Sequence, residues 1–234
     1  MTATPPAFIP ATEDAQSSRP HRGVFVAVEG GDGAGKSTQL RLLRDWIAQA
    51  GTEVVLTREP GGTELGVVLR EAILHGGHVA PRAEALLYAA DRAHHVATLV
   101  RPALDRGAVV VTDRYLDSSV AYQGGARALG SAAIRDLSLW AVEGLLPDLV
   151  VLLDLDPAVG AARRRGTPDR IESEPDAFHH EVRARFLEQA AADPGRYLVL
   201  DATRTPADLH ADVRAALTPL LARSARARAE GAGS

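Results

Sequence analysis

The chain from Gly23 to Val28 is an unbroken apolar run, the pattern of a short strand buried on both faces. From Thr38 to Ala50 the spacing turns helical, with Leu40, Leu43 and Ile47 on one face, and Gly51 is placed to stop the helix. Glu53–Thr57 predicts a second strand and Ala108–Thr112 a third, the latter after a long helical stretch from about Pro81 to Leu104. Asp148–Leu153 and Tyr197–Leu200 predict two more, and helical patterns separate all five. Alternating strands and helices require right-handed crossovers. The expected fold is therefore α/β, a five-stranded parallel sheet covered by helices on both faces. Ligands of such sheets gather at the carboxyl ends of the strands, so those ends are where chemistry is to be sought.

The first strand runs into Gly30-Gly31-Asp32-Gly33-Ala34-Gly35-Lys36-Ser37-Thr38, which matches the phosphate-binding pattern G-x-x-x-x-G-K-[ST]. It has the context the pattern needs, a buried strand before and a helix after. Backbone N–H groups of such a loop wrap a polyphosphate, and the glycines let the backbone come close. The helix starting near Lys36 directs its positive dipole end at the phosphates. Ser37 offers its hydroxyl to Mg²⁺. Lys36 is the only lysine in a chain with twenty-five arginines. A flat guanidinium does not fit such a site, whereas a compact ammonium does.

The second strand leads to Thr57-Arg58-Glu59-Pro60-Gly61-Gly62-Thr63, the third to Asp113-Arg114-Tyr115 and the fourth to Asp154. Thr63 reads as a helix cap. Arg58 and Arg114, each just past a strand, are placed to grip a second phosphate facing the first, because a guanidinium offers a planar bidentate fork. Asp113 is the best acid for the metal shell, through water. Asp154 is a weaker rival, since a carboxylate there can equally cap or salt-bridge the next segment. Two anion sites imply two phosphorylated substrates, hence a nucleotide or phosphometabolite kinase rather than an ATPase switch. The basic stretch Ala162–Glu172 reads as a lid, about residues 161–172, which brings Arg163, Arg165 or Arg170 to the γ-phosphate of ATP and excludes water.

Length and charge narrow the picture without changing it. At 234 residues there is room for one α/β domain, read here as residues 23–221, and not for two full ones. The net charge of −4 argues against a role in coating nucleic acid or a membrane surface. No cysteine is present, which excludes disulfides and thiolate metal sites. No apolar run approaches a membrane span, and residues 1–22 lack the basic start and apolar centre of a secretory signal. Residues 1–22 and 222–234 are expected to be disordered tails and the location cytoplasmic.

From about Gly23 to Leu221 the chain resembles the bacterial thymidylate kinase family, whose members are P-loop NTPases. The likeness rests on Glu29–Thr38, Thr57–Thr63, Leu87–Arg92, Asp113–Tyr115, Ser118–Gly125 and Asp169–Glu172. It implies transfer of the ATP γ-phosphate to dTMP, giving dTDP and ADP, with Mg²⁺ and in a homodimer. Carried over residue by residue, Asp32 approaches the sugar 3′-hydroxyl, Arg58 and Arg114 bind the acceptor phosphate, and Tyr88 stacks on the base. Arg92, Ser119 and Gln123 address the thymine edge, and Tyr122 closes on the sugar. The residue types agree with this: a base needs an aromatic face and a few fixed hydrogen bonds, and only four per cent of the chain is aromatic. Two positions depart from the family. Tyr88 stands where Phe is usual, and Gly33 stands where another branch has a catalytic arginine, which points to the branch whose arginines sit in the lid. A kinase for another nucleotide or nucleoside acceptor, and a non-catalytic P-loop ATP-binding module, are the alternatives.

Overall fold

The computed structural model describes residues 23–164 and 167–231. The tail expected at residues 1–22 and the lid residues Arg165 and Gly166 lie outside that range. Five strands form one parallel sheet: β1 Val24–Gly30, β2 Val54–Arg58, β3 Val109–Asp113, β4 Leu149–Asp154 and β5 Tyr197–Asp201, in the order β2-β3-β1-β4-β5. The helices between them are α1 Lys36–Gln49, α2 Glu64–Leu74, α3 Pro81–His95, α4 Arg101–Asp105, α5 Leu116–Ser119, α6 Ser131–Ala141, α7 Pro157–Arg163 and α8 Asp176–Ala192, and α9 Pro206–Gly231 follows β5. Two π-helical segments, Val96–Val100 and Val120–Ala126, continue α3 and α5.

The strand pleat sends alternate residues into two cores. Val24, Val26 and Val28 join Val109, Val111 and Val151 beneath Leu40, Leu43 and Ile47 of α1 and Leu209, Val213 and Leu217 of α9. Phe25 and Ala27 join Val110, Val150 and Leu152 on the opposite face, under Leu104 of α4 and Phe186 of α8. Each fully buried side chain of this size contributes about 1.5–3 kcal/mol. The three central strands are thus fixed from both sides, and the loops at their carboxyl ends spring from rigid ground.

One expectation is corrected here. Residues 222–231, expected as part of a tail, continue α9 to Gly231. Alanine and arginine are strong helix formers, so the composition that reads as a disordered tail also extends a helix already anchored by Leu209, Val213 and Leu217. At the lid, α7 covers the first residues, capped at its start by Asp156, whose carboxylate accepts from the Ala158 N–H at 2.9 Å.

α7 meets the phosphate loop closely where Gly160 faces Asp32 and Gly33. Gly33 has φ +80, and a Cβ built on it would lie 2.3 Å from the Gly160 carbonyl oxygen. A Cβ on Gly160 would in turn meet the Asp32 carbonyl oxygen at 2.3 Å. An arginine at position 33 therefore has no room in this chain. We expect Gly33→Ala to cost about 2–4 kcal/mol, from a left-handed backbone combined with steric overlap. Urea unfolding checks this, with Gly31→Ala as control, because a Cβ there meets nothing within 4 Å.

Candidate active site

The phosphate loop is held from within. Gly35, at φ 97, sits just before α1, and Lys36 opens the helix. The Lys36 ammonium turns back to donate to the carbonyls of Gly30 at 3.1 Å and Gly31 at 3.0 Å, and lies 3.9 Å from an Asp32 carboxylate oxygen. Burial, reinforced by the Arg114 guanidinium, draws its pKa below the usual lysine value. Converging carbonyls and tight walls suit a point charge with three donors and leave no space for a planar fork.

Arg114 joins the end of β3 to this loop. Its backbone is left-handed, φ 68, and is pinned by its N–H to the Val28 carbonyl at 3.0 Å and by the Thr112 hydroxyl to its own carbonyl at 2.9 Å. The guanidinium donates to the Gly30 carbonyl at 3.1 Å, the Ser118 hydroxyl at 3.2 Å and the Asp32 carboxylate at 2.6 Å. Burial alone would raise the Asp32 carboxyl, but Arg114 and Lys36 hold it down at about 2. Behind this turn lies Glu29, fully buried, which accepts from the Tyr115 N–H at 2.8 Å, the Ser118 N–H at 3.2 Å and the Ser118 hydroxyl at 2.6 Å. Burial and the charge of Asp117 push the Glu29 carboxyl up to about 7.

Beside the loop a cleft of about 1000 Å³ is lined by Lys36, Ser37, Arg58, Asp113, Arg114 and Arg163. Asp113 Oδ1 is buried there and has no hydrogen-bond partner among the described residues. Together with the Ser37 hydroxyl this is a pair of hard oxygen donors, fitting a Mg²⁺ that keeps waters and phosphate oxygens for its other positions. Asp154, by contrast, pairs with the Arg183 guanidinium of α8 at 2.6 and 2.9 Å, a partner further along the chain than the next segment. Thr63 caps α2 by accepting from the Gly66 N–H at 3.0 Å.

A neighbouring cavity of about 640 Å³ brings together Asp32, Tyr88, Arg92, Arg114, Tyr122 and Gln123, with Ser119 also on its wall. Arg92 is almost wholly buried. It donates from Nε to Glu59 at 2.7 Å, from one terminal nitrogen to the Ser138 hydroxyl at 3.3 Å, and from the other to the Ser119 hydroxyl at 3.0 Å and the Tyr115 carbonyl at 3.3 Å. Glu59 also contacts His95 Nδ1 at 2.8 Å, and His95 Nε2 reaches the Thr57 hydroxyl at 2.6 Å. Arg114 lies over the Tyr122 ring, 5.2 Å from its centroid. Gln123 donates from its amide nitrogen to Glu84 at 3.0 Å.

Two arginines sit differently from expectation. Arg58 is exposed and lines the cleft with Lys36, whereas the two residues after it, Glu59 and Pro60, line the cavity with Tyr88. Arg170 is drawn away from the loop: it donates to the Ile73 carbonyl at 2.8 Å and to Glu84 at 2.5 Å. A buried carboxylate is a stronger attractor than an open cleft. Arg163 lines the cleft and donates to the Ala202 carbonyl at 3.0 Å.

Glu29, Glu59 and Glu84 were missed by sequence reasoning as positioning groups. Glu84, Tyr88 and Arg92 recur every four residues along α3, a spacing that puts all three on one face and would have shown the first of them. Glu29 is the single charge closing an apolar strand, and Glu59 sits between Arg58 and Pro60 in a motif otherwise noted for its arginine.

A glycine-rich loop with a buried lysine, a metal-competent acid on the adjoining strand and a second cavity sharing Asp32 and Arg114 with the first cleft define a P-loop kinase of small molecules. Residues 28–213 match the sequence pattern of the family described as Thymidylate kinase. A thymidylate kinase of Clavibacter michiganensis subsp. michiganensis is 61% identical over 209 residues, covering 88% of this chain and 99% of the relative. One from Bifidobacterium longum strain NCC 2705 is 54% identical over 188 residues, covering 78% and 91%. The crystal structure of thymidylate kinase from Ehrlichia chaffeensis superposes with a TM-score of 0.71 at 28% identity, covering 84% of this chain and 98% of that one. The chain belongs to the thymidylate kinase family.

Proposed function

We infer that this chain transfers the γ-phosphate of ATP to dTMP, giving dTDP and ADP. The observation that carries the reading is the sharing of Asp32 and Arg114 between the two adjoining chambers, so that groups bound in each meet at one wall. ATP lies with its phosphates on Gly30–Thr38, and dTMP lies in the cavity of Tyr88 and Arg92. The acceptor phosphate is already an anion at neutral pH, so one of its oxygens attacks the γ-phosphorus without a general base. A P–O bond to that oxygen forms as the bond from the γ-phosphorus to the ADP oxygen breaks. What remains for the protein is alignment and charge cancellation.

In this reading Lys36 neutralises the donor phosphates, and Arg114 exchanges Asp32 for the incoming acceptor phosphate. Asp32, ionised and freed from that pair, turns to the 3′-hydroxyl. Tyr88 stacks on the base, Arg92, Ser119 and Gln123 meet its edge, and Tyr122 covers the sugar. Arg163 approaches from the lid side, with Arg165 a candidate from the sequence; Arg58 serves the phosphate cleft in which it stands. Ser37 and Asp113 would hold Mg²⁺, whose chemistry is to offset the charge on the transferring group. A homodimer is supported by exposed Leu65, Val67 and Val68 of α2, Leu86 of α3 and Trp140 of α6, on helices that pack side by side. A reaction that draws on ATP fits a cytoplasmic setting.

The test is ADP release, coupled to an indicator reaction, across dTMP, dCMP, dGMP and AMP. We expect dTMP to exceed every other acceptor by about 10³-fold or more in kcat/KM, because a site built on fixed hydrogen bonds rejects mismatched analogues strongly. A different preferred acceptor would overturn the assignment.

A further inference from the structure

Glu84 has no direct part in the reaction just described, yet it is wholly buried behind the base cavity, in contact with Gln123 of the cavity wall. α3 presents it one turn before Tyr88 and two turns before Arg92. Its two oxygens collect donors from three side chains on two separate segments. Oε1 accepts from Gln123 Nε2 at 3.0 Å and Arg127 Nε at 3.3 Å; Oε2 accepts from an Arg170 terminal nitrogen at 2.5 Å and an Arg127 terminal nitrogen at 3.5 Å. Two guanidinium groups thus hold this carboxylate in position. Arg127 is itself held by Glu174 at 2.7 Å.

A primary amide can turn either end toward a ligand, and the two ends are opposite in hydrogen-bond sense. An ionised carboxylate only accepts, so Glu84 obliges Gln123 to spend its NH₂ on the wall. The polar atom of Gln123 left for the cavity is then its carbonyl oxygen. Thymine carries a hydrogen on N3 and an acceptor at O4; cytosine has a bare N3 and an amino group at C4. An oxygen from Gln123 together with donors from Arg92 matches the first edge and opposes the second.

We propose that Glu84 is a specificity-determining positioning residue, which fixes the amide of Gln123 carbonyl-inward and so selects a base with N3–H. The proposal rests on the reading of Gln123 as a base-edge group. It also ties that selection to the lid, because Arg170 uses the same carboxylate.

Glu84→Gln tests it. Arg170 and Arg127 claim the new carbonyl oxygen, and the new NH₂ faces Gln123. Gln123 then rotates, turning its own NH₂ into the cavity. The expected result is a fall of about tenfold or more in the ratio of kcat/KM for dTMP to that for dCMP, with dTMP losing most. Equal losses on both substrates, leaving the ratio unchanged, overturn the proposal, since a merely structural role moves both alike. Gln123→Ala separates the two layers. If it leaves the ratio intact, the base-edge reading itself fails. If it collapses the ratio while Glu84→Gln does not, Gln123 reads the base and Glu84 does not orient it. Should Glu84→Gln fail to fold by circular dichroism, Glu84→Asp keeps the charge for the arginines and withdraws the oxygen from Gln123, and the same ratio decides.

Discussion

Arg114→Ala is expected to lower kcat/KM for dTMP by about 10³-fold, roughly 4 kcal/mol of transition-state stabilisation. This guanidinium borders both chambers and sits on a backbone clamped in the left-handed region by Val28, Thr112 and, through Tyr115, Glu29. In the proposed arrangement, its loss removes a charged donor from the acceptor phosphate. It also strips Asp32 of the partner that holds its carboxyl at about 2, leaving an anion to repel the incoming one. Both kcat and KM should suffer. Arg114→Lys should recover little, because a single ammonium cannot serve Gly30, Ser118 and a phosphate from that position. Steady-state ADP release over a range of dTMP concentrations measures both constants, and near-normal values in Arg114→Ala would remove this residue from the acceptor site.

Lys36→Ala is expected to bring dTDP formation down by at least about 10³-fold, since the loop then lacks the charge that offsets the donor phosphates. The sharper variant is Lys36→Arg. Charge is kept, yet the side chain enters a space only 8% exposed and bounded by the Gly30 and Gly31 carbonyls. We expect it to fail almost as completely, through geometry rather than charge. Product chromatography at saturating ATP and dTMP reads both variants, and substantial turnover by Lys36→Arg would refute the explanation given for the one lysine in the chain.

The sheet and its loops were legible because they obey local rules. The unbroken run Gly23–Val28 can only be buried on both faces, and glycines spaced around a lysine after such a strand have one common use. The five strands fall within a residue or two of where the pattern places them. That Tyr88 and Gln123 belong to one cavity could be read only from the resemblance, since taken singly they look like a core tyrosine and a turn residue. What the sequence hid is what depends on competition in three dimensions. The Arg run marks a basic segment but does not say which guanidinium is drawn to a carboxylate 86 residues away in the chain, as Arg170 is to Glu84. Burial of Glu29 and Glu59 is equally invisible, because acidic residues next to glycine and proline usually face water.

The deeply set ammonium of Lys36 also governs how the molecule can be derivatised. Reagents that acylate amines meet no other side-chain amine, and thiol chemistry has no native target at all. Attachment of a dye or a support through a lysine would therefore plug the phosphate loop, while one engineered cysteine on the outer face of α9 would give a uniquely labelled molecule with its working parts untouched.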